Sequence, residues 1–288
     1  VGAVRGNAGL AAAAALRDSG LMGVSYLEFF AIGGGEVAGQ VRLHQMVKEA
    51  GERHLLSTVC SQGDRRWHLG LQPHASNTVS YRAYQGAVTL AQQHGLALST
   101  HLAESPEERE FILRGTGPQR ALLERLGLWT DDVLQDVGRG QSPVERLADV
   151  LAGAGCLAAH VNDASDADLE LLARAGITVV YCPRASAYFA AERAFGPHRY
   201  REMMRMGIEV AVGTDSRAVA GSQSVLDELR LLHQRDGSPP MELLRMATRT
   251  GARALGLDEA AFAFTPGAAL AGLVAERDYA LRVLGAHD

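Results

Sequence analysis

Leu96-Ala97-Leu98-Ser99-Thr100-His101-Leu102-Ala103-Glu104 joins an apolar run to an imidazole and a carboxylate. Leu96 to Thr100 is a short apolar run set off by Gly95. It reads as a β-strand ending on an imidazole, with a carboxylate three residues further on. Side chains alternate between the two faces of a strand, so a residue at its C-terminal tip can point into a pocket above a sheet or barrel. A metal-activated water needs such a pair: a neutral nitrogen to hold the ion and a nearby carboxylate to move protons. Three more strand-like runs end in chemically loaded residues, at Pro73-His74, Ala159-His160 and Thr214-Asp215.

Outward from this stretch, strands and helices alternate almost from end to end. Strands are predicted over 1–4, 22–30, 67–72, 96–100, 156–159, 177–182 and 209–213. Helices are predicted over 9–19, 36–50, 80–94, 107–114, 118–126, 142–153, 166–175, 199–206, 225–234 and 240–255. Gly20, Gly51 and Gly95 read as helix stops, Ser142-Pro143-Val144-Glu145 as a capped helix start and Asp166 as a cap. No strand pair reads as a tight hairpin, and strands separated by helices are the signature of a parallel sheet. Loaded residues at several strand ends favour a (β/α)8 TIM-type barrel. An open doubly wound sheet would gather its site at one switch point, usually behind a Gly-rich turn. Gly33-Gly34-Gly35 lacks both GxGxxG and P-loop spacing. With no linker in evidence, 1–288 reads as a single α/β domain, 256–288 being its C-terminal tail.

The 288 residues are 47% hydrophobic, ample for a buried core, and carry 28 Lys plus Arg against 33 Asp plus Glu, a formal net charge of −5. That balance, without long basic runs, argues against nucleic-acid binding through backbone phosphates. No apolar run approaches the roughly 20 residues of a membrane span, and no signal-peptide pattern is present. The three cysteines (Cys60, Cys156, Cys182) form no metal or disulfide framework, and Cys156 and Cys182 read as buried thiols. A cytoplasmic protein acting on a small molecule is the expectation.

Each loaded residue has an ordinary structural role open to it. Asp215 could cap a turn, and His160 and His74 could be hydrogen-bonded core histidines. Their joint placement after βα strands points instead to a site. Arg184, after Cys182-Pro183, could meet an anionic group or pin a loop. Glu28, inside an apolar strand, needs a partner and could reach the pocket or face a helix cap. His44, His54, His68, His94, His198, His233 and His287 read as surface or packing residues.

Pro73-His74-Ala75, His101-Leu102-Ala103-Glu104-Ser105, Ala159-His160, Cys182-Pro183-Arg184 and Gly213-Thr214-Asp215-Ser216 together resemble the amidohydrolase superfamily. The likeness is to its metal-dependent branch of S-adenosylhomocysteine, guanine and aminodeoxyfutalosine deaminases and s-triazine chlorohydrolases. The resemblance implies roles. His101 and Asp215 would hold one divalent metal, zinc before iron or manganese. Glu104 would shuttle protons, with His160 and Asp215 as catalytic partners. His74, His160 and Arg184 would bind substrate. It further implies hydrolytic deamination of a purine-like or related N-heterocycle, with dehalogenation as the enzymatic competitor.

The family's His-x-His motif occurs nowhere in the sequence. Aligning Val1-Gly2-Ala3-Val4 with the family's second strand implies that strand one and the small β-sandwich lie upstream of residue 1. Thr265-Pro266-Gly267-Ala268 would begin the return to that sandwich. An inactive fragment or pseudoenzyme is the resulting alternative, and a homo-oligomer would cover exposed strand edges. With two assignable ligands where catalytic sites usually offer three or more, this polypeptide is expected to bind zinc weakly. Tight stoichiometric zinc in the purified chain would contradict that expectation.

Overall fold

The apolar runs pair with one another in the order in which they occur along the chain. In the computed structural model, which describes residues Gly2–Val4, 9–56, 67–262, Gly272–Ala275 and Leu281–Leu284, seven strands form one sheet. They are β1 (Gly2–Val4), β2 (Gly23–Phe29), β3 (Trp67–Pro73), β4 (Ala97–Leu102), β5 (Cys156–His160), β6 (Thr178–Tyr181) and β7 (Val210–Val212). Neighbours pair in parallel, in the order β1 through β7. A doubly wound sheet reverses its order at a switch point, whereas this sheet never does. The arrangement is a partial (β/α) barrel.

Strand alternation builds two apolar layers. Leu27, Phe29, Leu69, Leu71, Leu98 and Leu102 face the surrounding helices and join Leu43, Val47, Tyr84, Val88 and Leu147 in the main core. On the opposite face Val24, Tyr26 and Leu157 pack with Ala97 and Val180 to floor the lumen. Gly70 is the register partner of Tyr26, and a Cβ there would lie 2.5 Å from the Tyr26 ring. The glycine therefore makes room for the tyrosine across the inner face.

A comparable close approach fixes the helix Glu36–Glu52 on β2. A Cβ on Gly39 would lie 2.0 Å from the Phe30 carbonyl oxygen and 2.8 Å from Ala31 Cβ. Ala outranks Gly in a helix by about 1 kcal/mol, but forcing the helix off the strand costs about 1–3 kcal/mol. Gly39→Ala is therefore expected to be net destabilising, read as a lower midpoint in urea; a raised midpoint would refute the tight contact.

Several boundaries differ from expectation. β4 runs through His101 to Leu102, because its end gains pairs with Ala159 and His160 and the His101 N–H donates to the His74 carbonyl at 2.9 Å. The helix predicted to stop at Gly51 continues to Glu52. Ser165, not Asp166, caps Asp166–Ala175: its hydroxyl accepts the Asp168 N–H while its own N–H donates to the Asp168 carboxylate. Two short helices, Pro183–Tyr188 and Ala191–Phe195, lie between the predicted strand 177–182 and the predicted helix 199–206. The predicted 240–255 helix contains a π-turn at Met246–Thr250. An antiparallel pair of strands, β8 (Gly272–Ala275) and β9 (Leu281–Leu284), forms a separate sheet that the predicted strands do not include. Cys156 and Cys182 are buried thiols, as read. Cys60 and residues 265–268 lie outside the described residues. Among the described residues no helix is long and apolar enough to cross a membrane.

Candidate active site

The C-terminal ends of β2 to β5 and the segment after β7 bring Glu28, His74, His101, Glu104, His160 and Asp215 together in two neighbouring groups. Ligand-type atoms of Glu28, His74 and His101 lie within 4.8 Å of one another, as do those of Glu104, His160 and Asp215. The two presumed ligands, His101 and Asp215, thus fall in different groups. The rings bridge them: His101 stacks on His160 at 5.4 Å between centroids and meets His74 at 5.0 Å.

His101 Nδ1 lies 2.8 Å from the His74 carbonyl oxygen. Donation from Nδ1 fixes the tautomer in which Nε2 carries the lone pair, the arrangement found behind metal-bound histidines. Gln72, the register partner of Glu28, donates to its carboxylate at 3.2 Å and places its amide 3.3 Å from His101 Nδ1. Glu28 therefore reaches the pocket rather than a helix cap. His74 Nδ1 is 2.8 Å from Thr78 Oγ1, and burial lowers its pKa to about 4. It is a neutral imidazole at physiological pH.

Glu104 Oε1 lies 3.4 Å from His160 Nε2. Burial, then the negative charges of Glu108 and Asp215, push the Glu104 carboxyl up to about 7. A carboxyl poised there both accepts and releases protons near neutrality.

Backbone geometry at these tips is strained. Ala103, His160, Val161 and Asp215 have φ of 52°, 76°, 49° and 60°, the left-handed region that costs a non-glycine residue on the order of 1–3 kcal/mol. In register His160 partners Leu102, which belongs to the helix-facing core. The left-handed turn at His160 instead brings its ring to Glu104 and His101. Each tip is held from outside its strand. Buried Glu108 accepts the N–H groups of Ala103 at 2.9 Å and Glu104 at 2.6 Å, together with the Ser76 hydroxyl. His198 Nε2 meets the His160 carbonyl at 2.8 Å. Gln223 donates to the Asp215 carbonyl at 3.1 Å. Asn162, itself held by Ser186, donates to the Glu104 carbonyl at 3.0 Å.

These supporting residues escaped the sequence reading. Only Glu108 left a signal, the Ser-x-x-Glu pattern from Ser105, and its carboxylate also reaches the N–H groups of Ala103 and Glu104. His198, read as a bland residue, is 8% exposed and stacks on Tyr181 at 3.7 Å. Burial lowers its pKa to about 4. In the unfolded chain it protonates near 6.5, so the unfolded state binds more protons as pH falls from 6.5 towards 4. The contribution of His198 to stability is therefore expected to be full above pH 6.5 and to decline through that window. His198→Gln should flatten the decline in urea melts; an unchanged slope would refute it.

Arg184 is the second alternative realised. Its guanidinium donates to Glu228 at 2.7 Å and to the carbonyls of Ala220 and Ser222 at 2.8 and 2.9 Å, while its N–H also meets Glu228. It pins the loop that carries Gln223. A cavity of about 350 Å³ opens beside Glu104, lined also by Phe189 and Arg193.

A family model described as "Amidohydrolase family" matches residues 25–269. The aminodeoxyfutalosine deaminase of Deinococcus radiodurans is 33% identical over 195 residues, 65% of this chain and 45% of that protein. A 5-methylthioadenosine/S-adenosylhomocysteine deaminase of Thermoanaerobacter pseudethanolicus is 28% identical over 212 residues, 70% of this chain and 43% of its own length. The crystal structure of Helicobacter pylori aminofutalosine deaminase with methylthio-coformycin superposes with a TM-score of 0.68 at 25% identity, covering 87% of this chain and 58% of that one. The chain spans about half the length of the curated relatives it matches.

Proposed function

This chain belongs to the amidohydrolase family, and from that membership we propose that its strand tips carry the metal-dependent hydrolytic deamination of an adenosine-like nucleoside. The observation that carries the reading is the Glu104 carboxyl, raised to about 7 and set 3.4 Å from His160 in one group with Asp215. The relatives named as deaminases of adenosine-type compounds support the substrate class.

The donor set fits a borderline divalent cation, zinc before iron or manganese. His101 has its Nδ1 anchored on a carbonyl, and Asp215 supplies a carboxylate. A bound cation supplies Lewis acidity that brings the pKa of water towards neutrality. Glu104 takes a proton from the attacking water and delivers it to the amino group, so that a C–O bond forms, the C–N bond breaks and ammonia leaves. His160 faces the same space and stabilises charge developing on the ring. His74, a neutral imidazole, contacts the substrate from the β3 side. The 350 Å³ cavity beside Glu104 gives a small molecule room. A cytoplasmic setting suits such a substrate.

The test is ammonia release from a panel of adenosine-type nucleosides with and without added zinc, set beside chloride release from a chlorotriazine. Zinc-dependent ammonia release is the expected result. Chloride without ammonia would assign the site to dehalogenation, and neither product would mark the chain as inactive.

A further inference from the structure

Among the side chains that support the site, His198 has the most fully specified surroundings. Its Nε2 lies 2.8 Å from the His160 carbonyl oxygen, an acceptor, so Nε2 carries the proton. Its Nδ1 accepts the Tyr200 N–H at 3.0 Å, so Nδ1 carries none. Two neighbours of opposite polarity thus dictate one neutral tautomer. The ring is clamped against Tyr181, 3.7 Å away and 17° from parallel. Tyr181 in turn receives a hydrogen bond from Arg235, and Tyr200 bonds to Asp236 and Ser238.

The carbonyl that His198 holds belongs to a residue with φ of 76°, followed by Val161 with φ of 49°. Such a backbone persists only where its surroundings over-determine it. Without it, the His160 side chain would follow its register partner Leu102 towards the helices. We infer that His198 is a positioning residue: its imidazole fixes the His160 carbonyl and thereby the direction in which the His160 ring meets Glu104. The inference deepens the proposed deamination and rests on that reading for its kinetic consequence.

Two variants of the full chain separate positioning from filling. His198→Phe keeps ring volume and the stack on Tyr181 but donates nothing to the carbonyl. His198→Gln places an amide N–H where Nε2 stands. Long-range ¹H–¹⁵N spectra of the wild type are expected to show His198 as the Nε2–H tautomer. The His160 ring signals are expected to move in the Phe variant and to stay in the Gln variant. With zinc and an adenosine-type substrate, His198→Phe should lower kcat about 10- to 100-fold, as small misplacements of a reacting group do. KM should hold within about 3-fold, and His198→Gln should restore kcat to within about 5-fold of wild type.

An Nδ1–H tautomer, unmoved His160 signals in the Phe variant, or equal losses in both variants would overturn the inference. Should His198→Phe not fold, the wild-type tautomer and the His160 signals of the Gln variant decide it. A wild type that makes no ammonia yet shows the expected spectra would defeat the deaminase reading and leave the positioning intact.

Discussion

Glu104→Gln is expected to lower zinc-dependent ammonia release by about 10²- to 10⁴-fold, the range lost when a general acid–base is removed. The amide keeps the shape of the side chain and can still meet His160, but it neither accepts a proton from water nor releases one to the amine. The Glu104 side chain is 29% exposed, and its raised pKa reflects a charge that burial and two neighbouring carboxylates disfavour. Removing that charge relieves repulsion, so the variant should melt at or above the wild-type midpoint. Substrate KM should change little. A fall in activity of less than 10-fold, or one matched by loss of fold, would remove Glu104 from the proton-transfer role.

The largest expected loss of stability comes from Arg184→Ala. Glu228 is fully buried, and Arg184 is its cationic partner at 2.7 Å. Burial still raises the Glu228 pKa despite that partner, as it does wherever desolvation rivals Coulombic gain. The pair itself is then a weak stabiliser, whereas breaking it strands a buried carboxylate, a loss of about 3–5 kcal/mol. The carbonyls of Ala220 and Ser222 lose their donors in the same step. Arg184→Lys should rescue poorly, because a single ammonium cannot serve Glu228 and two carbonyls in the geometry of a planar fork. The same loop carries Gln223, which holds the Asp215 carbonyl, so zinc affinity should fall together with the urea midpoint. A variant with wild-type stability would show that the loop stands without Arg184.

Much of this architecture was legible because its determinants are local. Alternating apolar runs, Gly stops and capping residues such as Ser142 are properties of short segments, and they located the longer helices and the seven parallel strands to within a few residues. Errors fell where a distant contact overrode the local pattern. β4 lengthened because His101 gained partners on both sides, and Gly51 was absorbed into a helix that continues past it. The residues named for the site were likewise found through their positions at strand ends.

A parallel α/β barrel and the placing of His74, His101, Glu104, His160 and Asp215 at strand tips follow from periodicity and spacing along the chain. Only the tertiary structure decided how those tips are aimed. Regular strand alternation would send His160 outward, and a left-handed backbone turns it to Glu104. Only the fold likewise assigned Arg184 to a loop and His198 to the carbonyl of His160. The physical reason is that strained backbone and buried polar groups persist where partners far apart in sequence satisfy them, and such partners leave no periodic mark on the segment they hold.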